Sequence, residues 1–215
     1  MLIHVNCIVH ASDSKHFNDV STALVSNYDT IVKECLALRT HVHKVLGKSS
    51  DYKVTSEEHK LHRGAGWDWN SYLIKGERQA DFAIHCPKTT ELLESFNLMT
   101  DTPFSFAFFS TLKAGTVIEP HHGPCNLRIR CHFPLSVPGS KYDVGMRIGD
   151  EAVAWEEKKP LFFDDCYEHE VWNRSSGDRT VLLFDLWHPD LHTDEIAAIK
   201  GMFAYAKENI KDSKK

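Results

Sequence analysis

The chain has 215 residues, 42% of them hydrophobic and 26% charged, with 25 Lys and Arg against 30 Asp and Glu for a formal net charge of −5. That composition belongs to a folded domain with a sizeable core and excludes a wholly disordered chain. The acidic balance speaks against nucleic acid as a partner, because phosphate binding leaves a basic footprint. Apolar runs such as residues 181–184 are far too short to cross a bilayer, and residues 1–10 lack the basic start of a secretory signal. A soluble, cytoplasmic protein with no membrane partner is therefore expected. The six cysteines include no CxxC pair, which argues against a disulfide framework or a structural zinc site.

In chain order, apolar residues at Phe17, Val20, Leu24, Tyr28, Ile31, Cys35, Leu38, Val42 and Val45 step by threes and fours. They predict one stripe along one or two amphipathic helices over 16–46, ending at Gly47. Residues 48–51 read as a loop, 63–66 as a turn and 67–73 as an extended segment. Pro87 opens a short helix over 88–96, with Leu92 and Leu93 facing inward. Beyond Pro103 the helical period vanishes, and strands are predicted at 104–112, 116–120, 126–135, 145–148, 160–163, 168–172 and 179–187. Turns at 138–140 and 175–178 separate some of them. Short strands at this spacing predict a sandwich or jelly roll. Thr193 is placed to cap a last helix carrying Ile196, Ile199, Phe203 and Ala206. The expected organisation is an N-terminal helical segment, residues 1–60, packed on a β-rich domain, residues 61–215, that ends in this helix.

Three clusters can carry chemistry. In residues 119–124, His121 and His122 are adjacent, so on a strand only one of them can face a given site. Residues 126–133 alternate without a fault, with Leu127, Ile129, Cys131 and Phe133 on one face and Asn126, Arg128, Arg130 and His132 on the other. Such a strand is either an ordinary half-buried one or the wall of an anion pocket. Its polar face carries no carboxylate, which favours the pocket. Residues 162–172 place His169 among acids, and Arg179 follows ten residues later at the head of an apolar strand. Each feature alone has an unremarkable reading as a loop histidine, a surface turn or a solvated arginine. Two histidines and a following arginine in a β-rich frame match the arrangement of a non-haem iron, 2-oxoglutarate-dependent oxygenase.

Residues 121–132, 163–172 and 185–189 together resemble the aspartyl/asparaginyl β-hydroxylase family, and the resemblance extends over about 67–191. It implies a mainly β fold with flanking helices, a double-stranded β-helix of the jelly-roll, cupin-like kind, that binds Fe(II) and uses 2-oxoglutarate and O₂. On this sequence it makes His121 and His169 the metal ligands. Most related oxygenases add a carboxylate two residues after the first histidine; here that residue is Gly123, a gap that this family shares. Asp165 is then the residue that steers a metal-bound water. By the same resemblance Arg179 and Ser110 hold the distal carboxylate of 2-oxoglutarate, Arg130 and His132 hold the end that chelates iron, and Arg128 receives a carboxylate of the substrate. The implied reaction is hydroxylation at the β-carbon of an Asp or Asn residue in a peptide or protein, or of a small carboxylate, with succinate and CO₂ as co-products. The alternatives are the same chemistry on a free amino acid, small peptide or acyl chain, and a jelly-roll binding module without turnover.

Overall fold

Local chemistry starts and stops the first helices. The Ser14 hydroxyl accepts from the Phe17 N–H at 3.2 Å and caps α1, Lys15–Ser26. Asn27 ends it, and its side-chain amide donates back to the Ala23 carbonyl at 2.9 Å. The chain then re-enters a helix as α2, Tyr28–Val45. The long apolar stripe is thus two helices broken at Asn27, and Phe17, Val20, Leu24, Ile31, Cys35 and Leu38 along it are buried. The computed structural model describes residues 7–45, 50–52, 61–140 and 142–212; the predicted stop at Gly47 and half of the 48–51 loop lie outside them.

Around these helices the described elements are β1 (Ile8–Val9), β2 (His62–Arg63), β3 (Trp67–Ile74), β4 (Glu77–Arg78), α3 (Ala80–His85), α4 (Pro87–Glu94), β5 (Phe106–Leu112) and β6 (Thr116–His121). There follow β7 (Arg128–Ser136), β8 (Val144–Ile148), β9 (Glu151–Val153), β10 (Leu161–Phe163), β11 (His169–Asn173), β12 (Arg179–Trp187) and α5 (Thr193–Asp212). Every predicted strand is present within a residue or two at most of its ends. Thr193 is already helical, and the turn before it is held by the Glu195 carboxylate, which accepts from the His192 N–H at 2.8 Å. The segment expected to be helical also contributes a strand, because β1 pairs with β10.

The strands form two antiparallel sheets, one of seven in the order β1-β10-β7-β12-β5-β3-β4 and one of five in the order β2-β6-β11-β8-β9. From β5 to β8 successive strands alternate between the sheets, and so do β10, β11 and β12. That alternation is the winding of a jelly roll, a double-stranded β-helix. Two cores follow from the two-residue period of the strands. On the outer face of the larger sheet, Phe109, Ile129, Cys131, Phe133 and Phe184 meet Phe17, Val20, Leu24 and Ile31 of the helices. Between the sheets, Phe108, Ile118, Met146, Val171, Val181 and Leu183 form the second core. Burying each such side chain contributes about 1.5–3 kcal/mol. On β7 the alternation holds as read, with one difference. The face opposite Ile129, Cys131 and Phe133 meets the space between the sheets, not water.

Candidate active site

The antiparallel pairing of β6 and β11 puts His169 directly opposite His121. Their ring centroids are 4.1 Å apart. Nδ1 of His121 donates to the Glu119 carbonyl at 2.7 Å, and Nδ1 of His169 donates to the Tyr167 carbonyl at 2.9 Å. A carbonyl can only accept, so each Nδ1 carries the proton and each Nε2 keeps its lone pair for a ligand. Burial lowers the pKa of His121, and burial with His121 close by pulls His169 down to about 4. Both rings are therefore neutral near pH 7, the form that binds a metal.

No third ligand joins them: no group of three or more His, Cys, Asp or Glu able to hold a metal occurs among the described residues. Gly123 shows why. Its N–H donates to the Asp165 carbonyl at 2.6 Å, and a Cβ built on it would lie 2.5 Å from the Asp165 carboxyl carbon. The space in which a side chain at 123 would begin is filled by the carboxyl group of Asp165. Two imidazoles, with the remaining positions left to small oxygen ligands, fit iron as they fit zinc, copper or nickel.

Behind the histidines lies a closed square of charge. Arg128 donates through Nε and Nη2 to Asp165 at 3.0 and 2.5 Å, and through Nη1 to Asp185 at 3.1 Å and to the Phe104 carbonyl. Arg130 reaches Asp185 through Nε at 2.8 Å and Asp165 through Nη1 at 3.0 Å. Register explains part of this, since Arg130 sits opposite Asp185 in the β7–β12 ladder. The carboxylates missing from the β7 face thus arrive from β12 and from the loop before β11, and the two arginines are not unpaired as their own strand suggests. Desolvation opposes the charge on Asp165, but Arg130 and Arg128 more than offset it and hold its pKa below the usual carboxylate range. Arg128 is 1% exposed, so it can receive a substrate carboxylate only if this square opens.

Arg179 is the opposite case. It is 1% exposed, and the sequence alternative of a solvated arginine does not hold. Among the described residues no carboxylate pairs with it, its Nε has no hydrogen-bond partner, and burial alone pulls its pKa down to about 9. Its Nη1 makes a long contact of 3.5 Å to the Ser110 hydroxyl, which also accepts from the Trp67 indole N–H at 2.9 Å. Nδ1 of the neighbouring His132 is likewise buried without a partner. A buried cation without a counterion is costly unless an anion comes to it.

Ser110, His121, Arg128, Arg130, His132, Asp165, His169 and Arg179 all line one cavity of about 200 Å³. Its other wall is aromatic, with Trp69 stacked on Phe108 at 4.1 Å and Tyr52, Trp67 and Phe106 beside them. His122 stands at its mouth with Nδ1 on the Cys166 carbonyl, while Glu168 and Glu170 pair with Arg147 outside it. The sequence reading used Asp185 in the family resemblance but gave it no place in the site, and it did not foresee the aromatic wall. A lone acid inside the apolar strand 180–187 is itself a signal, since such a residue must find a buried cation. Nothing comparable marks the aromatics, which read as ordinary core.

Fold and site together define a jelly-roll protein whose pocket offers two metal-ready histidines and one unpaired, buried arginine. A family model described as Aspartyl/Asparaginyl beta-hydroxylase matches residues 25–189, and the chain belongs to that family. It is 33% identical over 177 residues to the human aspartyl/asparaginyl beta-hydroxylase, covering 81% of this chain and 22% of that protein. To aspartate beta-hydroxylase domain-containing protein 2 of Xenopus tropicalis it is 37% identical over 153 residues, 65% of this chain and 40% of the relative. An ornithine lipid ester-linked acyl 2-hydroxylase of Rhizobium tropici is 29% identical over 163 residues, 74% of this chain and 56% of the relative. The chain therefore spans less than two thirds of the length of each. Among the described residues no helix is long and apolar enough to cross a membrane.

Proposed function

We propose that this chain is an Fe(II)- and 2-oxoglutarate-dependent hydroxylase that uses O₂ and acts on an Asp or Asn residue of a peptide or protein, or on a small carboxylate. The observation that carries the reading is Arg179, a guanidinium sealed between the sheets with no carboxylate among the described residues to neutralise it. It calls for a ligand with an anionic end that can reach the histidines, and 2-oxoglutarate has that form.

His121 and His169 hold the iron through their free Nε2 atoms. Bound Fe(II) supplies the oxygen activation that couples loss of CO₂ from 2-oxoglutarate, leaving succinate, to insertion of one oxygen atom into a C–H bond. The protein supplies the rest. Arg179 takes the distal carboxylate as a forked ion pair. Ser110 supports it from a hydroxyl that has already accepted twice and keeps its own O–H to donate. Arg130, less buried than Arg128, holds the keto-acid end together with the unpartnered Nδ1 of His132. Asp165, fixed by both arginines, is the carboxylate that fills the space beside Gly123, and it would order a metal-bound water. The apolar wall keeps bulk water from the reacting carbon. All six cysteines are free thiols, which supports a reducing, cytoplasmic setting.

One observation favours a second substrate for the same chemistry. Arg128 is already committed to two carboxylates, and the wall of Trp67, Trp69, Phe106 and Phe108 suits an acyl chain better than an acidic side chain. The relative named as an acyl 2-hydroxylase supports that option. Incubation with Fe(II), 2-oxoglutarate and O₂, beside Asp- and Asn-containing peptides or acyl esters, separates the readings by which product gains one oxygen atom. Succinate release that is lost in Arg179→Ala supports the proposal. Succinate release at the wild-type rate in that variant contradicts it.

A further inference from the structure

The loop between β9 and β10 is charged and open to solvent: Glu156, Glu157, Lys158 and Lys159 are all exposed. Trp155 alone in residues 154–160 is buried, at 5% exposure, and it belongs to the core between the sheets. There the guanidinium carbon of Arg179 lies over its ring, 4.6 Å from the centroid. Its ring is also 5.8 Å from that of His132. The indole N–H finds no hydrogen-bond partner, so the side chain is not buried for the sake of that donor.

The contrast with the other two arginines of the pocket gives this placement its meaning. Arg128 and Arg130 are stabilised by carboxylates, which engage donors of both and cancel their charge. Arg179 is stabilised by a π face instead. An aromatic ring lowers the free energy of a buried cation through its quadrupole, without bringing a negative charge that would compete with a ligand. We infer that Trp155 is the positioning residue for co-substrate recognition: its ring holds Arg179 in place in the dry interior while leaving its donors for the distal carboxylate of a five-carbon 2-oxo diacid. The inference rests on the proposed 2-oxoglutarate dependence and extends it to a residue that is not in the pocket lining and acts through the arginine it covers.

The test compares two ligands on the iron-loaded protein without oxygen, by calorimetric titration. One is 2-oxoglutarate. The other is 2-oxovalerate, which keeps the keto-acid head and chain but has a methyl group in place of the distal carboxylate. Trp155→Leu is expected to weaken 2-oxoglutarate binding roughly tenfold, the scale of a desolvated cation–π contact, and to change 2-oxovalerate binding by less than about threefold. Trp155→Phe keeps a smaller π face and loses the unpaired N–H with part of the ring, so it is expected to bind 2-oxoglutarate within about threefold of wild type. Equal losses for both ligands in Trp155→Leu, no loss at all, or a Trp155→Phe protein as weak as Trp155→Leu would overturn the assignment. If the wild-type protein itself does not prefer 2-oxoglutarate to 2-oxovalerate, the co-substrate reading fails, and the role of Trp155 fails with it.

Discussion

Gly123 and Asp165 decide between them what kind of metal site this pocket can be. A side chain at 123 would start 2.5 Å from the Asp165 carboxyl group, which the two arginines lock in place. Gly123→Asp, the change that writes a third ligand into the sequence, is therefore expected not to create one. It should destabilise the protein by about 1–3 kcal/mol, as overpacking does, and lower the iron bound per chain. Denaturant unfolding and metal analysis check both, and a variant that gains iron affinity with unchanged stability would count against this picture. Asp185 is the second residue on which the site hinges, since it accepts from Arg128, Arg130 and the Phe106 N–H. Asp185→Ala leaves the buried Arg128 and the half-buried Arg130 short of a carboxylate, and a loss on the order of 3–5 kcal/mol is expected in the same unfolding measurement.

At the scale of elements, the legible parts of the sequence were those long enough to show a period. The nine residues of β12 and the helical stripe from Phe17 to Leu38 stand where they were read. Of the strands of two or three residues only β10 was read, from its apolar run; β1, β2, β4 and β9 carry no alternation to detect, and α3 has a single buried side chain, Phe82, so no stripe. Of the site, the histidines and arginines were legible by type and spacing. The ion square was not, because it depends on which strand lies beside β7. One element is held by a residue far from it in sequence. The N-terminus of α4 has no side-chain cap of its own, and Glu34 of α2 accepts from the N–H groups of Lys88 and Thr89 at 3.0 and 2.8 Å and from the Thr89 hydroxyl at 2.6 Å. Glu34→Ala is expected to cost about 1–2 kcal/mol, the scale of a lost helix cap, without changing 2-oxoglutarate affinity. Urea unfolding and ligand titration measure the two separately, and a change in affinity would mean that the helical layer and the pocket are coupled.

For the whole molecule, two sheets enclose a site that is charged before any ligand arrives, and acid reveals the consequence. Burial holds His132 well below its ordinary pKa, lowers His121 and holds His169 at about 4, whereas the unfolded chain protonates these rings near pH 6.5. A depressed native pKa means that the unfolded state takes up protons first. The metal-free protein should thus keep its full stability above about pH 6.5 and lose it progressively as the pH falls toward 4. Asp165, also depressed, adds a further loss once the pH drops below its ordinary value of about 3.9. Melting temperature against pH checks this, and a flat profile between pH 6.5 and 4 would contradict the neutral histidines. The central claim, that His121, His169 and Arg179 form one site for iron and a 2-oxo diacid, is tested most directly by adding Fe(II) and then 2-oxoglutarate to the apoprotein without oxygen, with Arg179→Ala beside it. A weak visible charge-transfer band that appears in the wild type and fades in the variant is the predicted result. Iron that binds without any such band, or a band indifferent to Arg179, would contradict it.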